Sequence, residues 1–298
     1  MKPAPFEYFA PESLEAALDL AAEHGYDAKW LAGGQSLVPA MNFRLVQPSM
    51  LLDLNRLDDL DFVRETSDGG LAVGAMTRQR RVERAPIVAR LSPLLAEAMP
   101  HVAHPQIRNR GTIGGSLVHA DPASELPVVA MALDARLRVQ DKEGERWVDA
   151  HDFFQGIFTV DLSPEELLVE ITFPPWPERS GWSFQEVARR QGDYALVGAA
   201  AVVKLAEDGT FEEVRLVFLN VGDRPVVAGR ASEILQGQAP SADVVEEAAR
   251  VAAHEETDPV ADIHASVGYQ RHLAQVLARR TILEAAARVD VSTVQERQ

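Results

Sequence analysis

The chain of 298 residues contains no cysteine, which excludes disulfides, a protein-held iron–sulfur cluster and thiolate zinc sites. Positive charge is also scarce: 29 Lys and Arg stand against 45 Asp and Glu, a formal net charge of −16 with His neutral. Such a field repels nucleic acid and anionic lipid unless a local basic patch opposes it. The densest cationic run, Arg78, Arg80, Arg81 and Arg84, is broken by Glu83 and reads as a solvated helix face. No apolar run approaches the ~20 residues that span a bilayer. The start, Met1-Lys2-Pro3-Ala4-Pro5-Phe6, lacks the apolar core of a signal segment. The expectation is a cytoplasmic protein with no nucleic-acid partner and no membrane span.

What is present is ordinary for a soluble globular chain, with 46% hydrophobic and 25% charged residues. The length accommodates two ordinary domains or one large one. Ser13 to Glu23 carries Leu14, Ala17, Leu18 and Ala21 at helical spacing and stops at Gly25. Ala28 to Ala32 reads as a buried strand running into Gly33-Gly34, and Met50 to Leu54 as another. Ser92-Pro93 fits an N-cap followed by proline at the first helical position. Leu137 and Val139 alternate, Lys142-Glu143-Gly144 turns, and Trp147-Val148 resumes; Leu167 to Phe173 is a further strand. The run Pro174 to Gly181 is the linker candidate, because consecutive prolines discourage helix and central strand. Beyond it, Ala199 to Leu205 and Glu213 to Val221 flank the hairpin signal Glu207-Asp208-Gly209-Thr210. Helices follow at about Ala242 to His254 and Ser266 to Val289, and Ser292 to Gln298 is expected to fray.

Two segments carry paired glycines: Ala32-Gly33-Gly34-Gln35-Ser36 and Thr112-Ile113-Gly114-Gly115-Ser116. Each reads either as an ordinary turn or as a nest of backbone N–H groups for phosphate oxygens. In a chain of charge −16 an anionic ligand has to be held by local dipoles. Neither G-x-G-x-x-G opening a helix nor G-x-x-x-x-G-K-[ST] occurs, which disfavours a Rossmann dehydrogenase and a P-loop enzyme.

The run His104-Pro105-Gln106-Ile107-Arg108-Asn109-Arg110-Gly111-Thr112-Ile113-Gly114-Gly115-Ser116-Leu117-Val118-His119-Ala120-Asp121-Pro122-Ala123-Ser124-Glu125-Leu126-Pro127 resembles the second FAD-binding segment of molybdenum hydroxylase flavoprotein subunits. Lys29-Trp30-Leu31-Ala32-Gly33-Gly34-Gln35-Ser36-Leu37 resembles the first, and Arg189-Arg190-Gln191-Gly192-Asp193-Tyr194-Ala195 is a third match. These matches fall in register along nearly the whole chain. The family is that of the medium subunits of carbon monoxide and xanthine dehydrogenases.

The resemblance implies an α+β chain. A PCMH-type FAD-binding fold would occupy 1–176, in subdomains of about 1–55 and 56–176, followed by a flavoprotein C-terminal domain of antiparallel sheet and helices at 177–290 and a tail at 291–298. It implies FAD between the two N-terminal subdomains. Ala32 to Ser36 and Thr112 to Ser116 would cradle its phosphates through backbone N–H groups and the Ser36 and Thr112 hydroxyls. Lys29, Leu31, Ile107 and Gly111 belong to the same cofactor-binding set. Asp121, Ser124 and Glu125 would face sugar hydroxyls, Leu168 would lie near the flavin ring, and Tyr194 would approach it from the C-terminal domain. The resemblance also implies molybdopterin and two-iron two-sulfur clusters only in partners, a large and a small subunit, assembled as a dimer of heterotrimers. Electrons would pass from the clusters through FAD to an external acceptor, with no substrate-oxidising catalytic group in this chain.

One position departs from the family pattern: where many relatives carry lysine, this chain has Glu186. A cation beside the flavin stabilises the negative charge of its reduced form, and a carboxylate opposes it. His101, His104 and His119 invite a metal reading, but no thiolate is available and the nearby carboxylates belong to the Asp121 and Glu125 segment; no metal is expected. Arg108 and Arg110 suit phosphate and carboxylate partners equally, while Trp176 and Trp182 read as packing at the domain join. The rival functions are a freestanding flavin oxidase or reductase and a flavin-free assembly subunit.

Overall fold

The computed structural model of the chain describes residues 1–295. The first residues build a small parallel sheet in which Met50–Asp53 lies between Glu7–Phe9 and Ala28–Leu31. The helix Leu14–His24 covers it through Ala17, Leu18 and Ala21. Ser13 caps that helix, its Oγ accepting from Ala16 N–H, and Gly25 ends it at φ +48°, a left-handed value that glycine meets without a β-carbon clash. Ala28–Leu31 is only half-buried, not the buried strand its composition predicts, because it stands at the sheet edge.

A five-stranded antiparallel sheet follows, in the order Val63–Glu65, Leu71–Gly74, Leu167–Phe173, Arg136–Gln140, Glu145–Asp149. Leu167–Phe173 is its central strand, as the run of apolar residues requires. A third sheet, also antiparallel, orders Ser180–Ala188, Ala195–Leu205, Phe211–Leu219 and Val226–Val227. The linker is therefore shorter than the proline-rich run suggests: Ser180 and Gly181 already pair with Lys204 and Val203.

The strand Ala195–Leu205 shows why the two halves form one mass. Its Val197, Ala199, Ala201 and Val203 face the helices Ala242–Glu255 and Val267–Gln295, whereas Ala200 and Val202 join the core of the N-terminal half. A strand covered on both faces has no polar alternation, and alanine lets the layers approach closely. The helix Glu125–Ala132, buried at every residue, packs on this sheet and shares a core with the five-stranded one. Pro127 is tolerated there because the first helical turn has no intrahelical acceptor for its missing N–H.

Glu97, on the helix Pro93–Ala98, fastens the join. Its carboxylate accepts from Trp182 Nε1 (2.8 Å), from the Phe184 N–H (3.0 Å) and from Arg288 on the long last helix. Trp176 meets Trp182 edge-on with centroids 5.5 Å apart, the packing role expected of both. Ser92 precedes the Glu97 helix, but its side chain makes no capping bond and its Oγ is buried without a partner. Of the segment expected to fray, 292–295 continues the last helix, and 296–298 lie outside the described residues.

Candidate functional site

The two glycine segments pack against each other. A β-carbon on Gly33 would strike the Arg110 carbonyl and stand 2.7 Å from Gly111 Cα, and one on Gly115 would reach Ala32 Cβ at 3.4 Å. Backbone therefore lies on backbone where the first sheet meets the second half of the N-terminal unit.

Their hydrogen bonding differs. Among the described residues, none of the N–H groups of Gly33, Gly34, Gln35 and Ser36 donates a hydrogen bond, and Gly34 sits at φ +72°. Gln35 Nε2 folds back to the Gly33 carbonyl at 3.1 Å, and the Ser36 hydroxyl has no partner in the described chain. This turn is a nest of unspent donors. The second segment is not a free turn. Thr112 is the N-cap of the helix Ile113–His119, so both glycines lie in its first turn. Ile113 N–H donates to Thr77 O (3.0 Å), Gly114 N–H to Ala75 O (2.9 Å), Gly115 N–H to Thr112 Oγ1 (3.0 Å) and Ser116 N–H to Thr112 O (3.2 Å). The expectation of two equal N–H nests is corrected accordingly. Glycine is required at 114 because a β-carbon would lie 2.6 Å from Ala75 Cβ. The Thr112 hydroxyl acts first as a cap.

Cations gather at the first turn. Arg78 donates to the Arg110 carbonyl and, at 2.6 Å, to Asn55 Oδ1; Asn55 Nδ2 in turn donates to the Ala32 carbonyl at 3.0 Å. Burial, and then the neighbouring Arg110 charge, hold the Arg78 guanidinium below its ordinary value. The solvated-face reading of the arginine run thus fits Arg80 and Arg81, paired with Glu83 and Asp61 at 2.7 Å, and fails for Arg78. Arg78 and Asn55 are site residues that sequence reasoning missed. Their signal would have been a cation just ahead of a helix lacking an acidic partner at helical spacing. Arg110 and Lys29 are exposed and make no ion pair among the described residues. Arg108 is settled differently: it is buried, clamps both Glu83 oxygens at 3.0 and 3.2 Å, and donates to Val102 O at 2.8 Å.

The loop after the helix Ile113–His119 begins at Ala120, in the left-handed region at φ +49°. One Asp121 carboxylate oxygen accepts from Ala123 N–H at 3.0 Å, and Ser116 Oγ and Ser124 Oγ stand 3.1 Å apart. Ile107 shapes the approach, its carbonyl accepting from Gly111 N–H at 2.7 Å, and the Leu31 carbonyl accepts from Leu54 N–H at 3.0 Å. Leu168 lies behind this surface, 2% exposed in the main core.

From the C-terminal half, Asn220 N–H bonds Pro122 O at 2.8 Å, and Gly192 lies against the His104 ring. Tyr194 is exposed, and partial desolvation with the charges of Asp121 and Glu125 raises its phenol. Glu125 heads a wholly buried helix; burial, with Glu186 and Asp121 adding to it, raises its carboxyl to about 7. Glu186 bonds His101 Nδ1 at 3.3 Å and raises that imidazole, while Glu186 Oε2 is buried without a hydrogen-bond partner. A cleft of about 320 Å³ opens beside them, lined by Pro100, His101, Glu186, Ala188, Arg190 and Gly192 among others. The three histidines part company: His101 joins Glu186, His104 meets Gly192, and His119 meets Phe158 at a tilt with centroids 4.9 Å apart. Among the described residues no three metal-ligating side chains converge.

Residues 4–176 match the family model described as the FAD binding domain in molybdopterin dehydrogenase, and 182–285 match the CO dehydrogenase flavoprotein C-terminal domain. The chain is 43% identical over 288 residues, covering 97% of each sequence, to the 6-hydroxypseudooxynicotine dehydrogenase complex subunit alpha of Paenarthrobacter nicotinovorans. It is 40% identical, again with 97% of each covered, to the caffeine dehydrogenase subunit beta of a Pseudomonas species. Among solved structures it superposes on a chain of the carbon monoxide dehydrogenase of Hydrogenophaga pseudoflava with TM-score 0.93 and 37% identity, over 97% of this chain and 99% of that one.

Proposed function

Because the chain belongs to the FAD-binding medium subunits of the molybdenum hydroxylases, the family of the carbon monoxide and xanthine dehydrogenases, we propose that FAD lies across the two glycine segments with its pyrophosphate on the first. The observation that carries this placement is the set of four unspent N–H groups at 33–36 beside Arg78 and Arg110. Donors and cations together suit a dianionic group in a protein whose net charge repels it.

Gly33, Gly34, Gln35 and Ser36 donate to phosphate oxygens, and Ala32, Leu31 and Ile107 hold the turn in place. Gly111, Thr112, Ile113, Gly114, Gly115 and Ser116 form the opposite wall, where the absence of side chains at the glycines permits close approach. Asp121, Ser124 and Glu125 accept from the hydroxyls of the ribityl chain and adenosine. Leu168 backs the ring from the core; Glu186 and Tyr194 border it from the C-terminal half. When bound, FAD supplies the redox chemistry, and the residues here bind, orient and exclude water. We take 1–55, 56–176 and 177–290 as the working units and 291–298 as a tail.

The chain is the electron-transfer component of an oxidoreductase. Its partners in this reading are a large molybdopterin subunit, which oxidises the substrate, and a small iron–sulfur subunit, assembled as a dimer of heterotrimers in the cytoplasm. Relatives named as subunits and medium chains support the division of labour, as does a chain with no cysteine to hold a cluster. No helix among the described residues is long and apolar enough to cross a membrane.

The test is flavin loading. The full chain is expected to hold one equivalent of FAD with visible flavin absorption, and Gly34→Val, which places a β-branched residue at φ +72°, to lose it while keeping the parent's far-ultraviolet circular dichroism. A parent chain without flavin absorption after incubation with FAD would refute the placement.

A further inference from the structure

Glu186 is the site residue whose surroundings make an unusual demand. Its side chain is 7% exposed; Oε1 faces His101 Nδ1 at 3.3 Å, and Oε2 is buried with no partner among the described residues. A buried acceptor left unpaired costs free energy, so such an atom marks a place where a ligand brings a donor. A carboxylate accepts only. His101 is 37% exposed at its side chain and lines the same cleft of about 320 Å³, so solvent reaches one end of the pair while the orphan oxygen sits at the other.

The charges around the pair come from several elements. Glu125 faces both Glu186 and His101 from the buried helix, and Asp121 faces Glu125 from the loop before it. Glu97 faces His101 from the helix Pro93–Ala98 but is committed to Trp182, Phe184 and Arg288. Arg190 lines the open side of the cleft and lies 3.6 Å from Asp193. Apart from His101, the titratable group that faces Glu186 from within is the acidic Glu125. His101 is raised by its hydrogen bond to Glu186, so the imidazole carries its proton to higher pH than an isolated one.

We infer that Glu186 and His101 form a proton-holding pair for the bound flavin, with Glu186 Oε2 favouring the fully protonated reduced ring and His101 passing protons in from the cleft. This rests on the flavin placement proposed above. Complete reduction of FAD takes up two electrons and two protons. The electrons come from the iron–sulfur clusters of the partner, and the protons come from solvent by way of His101. Reduction adds N–H donors to the ring, and an acceptor-only carboxylate pairs with those donors while repelling the anion that forms when one is lost. A lysine at 186 would do the reverse.

The experiment follows the midpoint potential of FAD on the full chain against pH, by spectroelectrochemistry, for the parent, Glu186→Gln and Glu186→Lys. The parent is expected to keep a slope of two protons per two electrons through neutral pH. In Glu186→Gln the break to half that slope should move down by about one pH unit, and in Glu186→Lys further, in the order of charge. Equal breaks in all three flavin-loaded proteins would overturn the inference and leave the flavin placement standing. A parent that holds no flavin would remove both. A merely structural role for Glu186 alters affinity or melting temperature without ordering the breaks by charge.

Discussion

A carboxylate at the head of a wholly buried helix sets the most specific expectation at the scale of single residues. Glu125 is raised from 4.5 to about 7, chiefly by burial. An acid with a raised folded pKa binds its proton more tightly in the native state. It therefore contributes stability that is complete below pH 4.5 and is lost as pH rises toward 7. Replacing it with glutamine should leave stability near pH 4.5 almost unchanged and raise it above pH 7 by a few kcal/mol, on the order of the shift itself. Melting temperature against pH for the parent and Glu125→Gln checks this; parallel curves would contradict it. His101 adds to the same trend, since the Glu186 bond raises it and its contribution also fades as pH climbs. The sequence showed which of these residues were unusual but not how they were paired. Arg108 and Arg110 looked alike in the chain, and only folding brings Glu83 to one of them and leaves the other facing solvent. Glu186 stood out as a departure, while its partner His101 lies on a different element, beyond any local pattern.

Among elements, the last helix rests on the edge strand Ser180–Ala188 with almost no gap. A β-carbon at Gly181 would overlap the Ala285 carbonyl, so helix backbone meets strand backbone there. Gly181→Ala should cost about 1–3 kcal/mol, as overpacking does. Urea unfolding should show a lower midpoint, with flavin absorption retained in the folded fraction; a midpoint equal to the parent's would show that the layers can part. Elements with a clear period were legible, including the helix Leu14–His24, the hairpin about Asp208-Gly209 and the two long C-terminal helices. Those dictated by packing were not. Paired glycines disfavour helix by propensity, yet Gly114 and Gly115 open one because Ala75 leaves no room for a side chain at 114 and the Thr112 hydroxyl crowds one at 115. Ser180–Ala188 escaped notice beside its prolines, having an irregular alternation that only its partner strand and the last helix complete.

Across the whole molecule, the five-stranded and four-stranded sheets build the two large cores, the parallel sheet packs on smaller clusters of its own, and Glu97 is a stitch between the N-terminal half and the rest. Glu97→Ala leaves the Trp182 indole N–H and the Phe184 N–H without an acceptor, which costs about 1–3 kcal/mol for each buried donor left unsatisfied. The variant should show altered tryptophan fluorescence and a lower melting temperature, and should release FAD more readily, since the loops that face the flavin from the two halves lose their common anchor. Unchanged flavin dissociation would mean that the other contacts between the halves, among them those of Asn220 and Gly192 and the Arg215–Asp134 ion pair, suffice to hold them together. Acidity and the lack of cysteine were legible at this scale directly from composition, whereas the double-sided strand Ala195–Leu205 revealed its role only with a layer on each face.

The carboxylate of Glu97 also imposes an order in time. Its donors are residues 182, 184 and 288, so a chain emerging from the ribosome exposes the acceptor long before any of them. Residues 182 and 184 can reach it well before residue 288 has been made, and Arg288 supplies the third donor only with the last helix. The join between the halves is thus completed only when the last helix is in place.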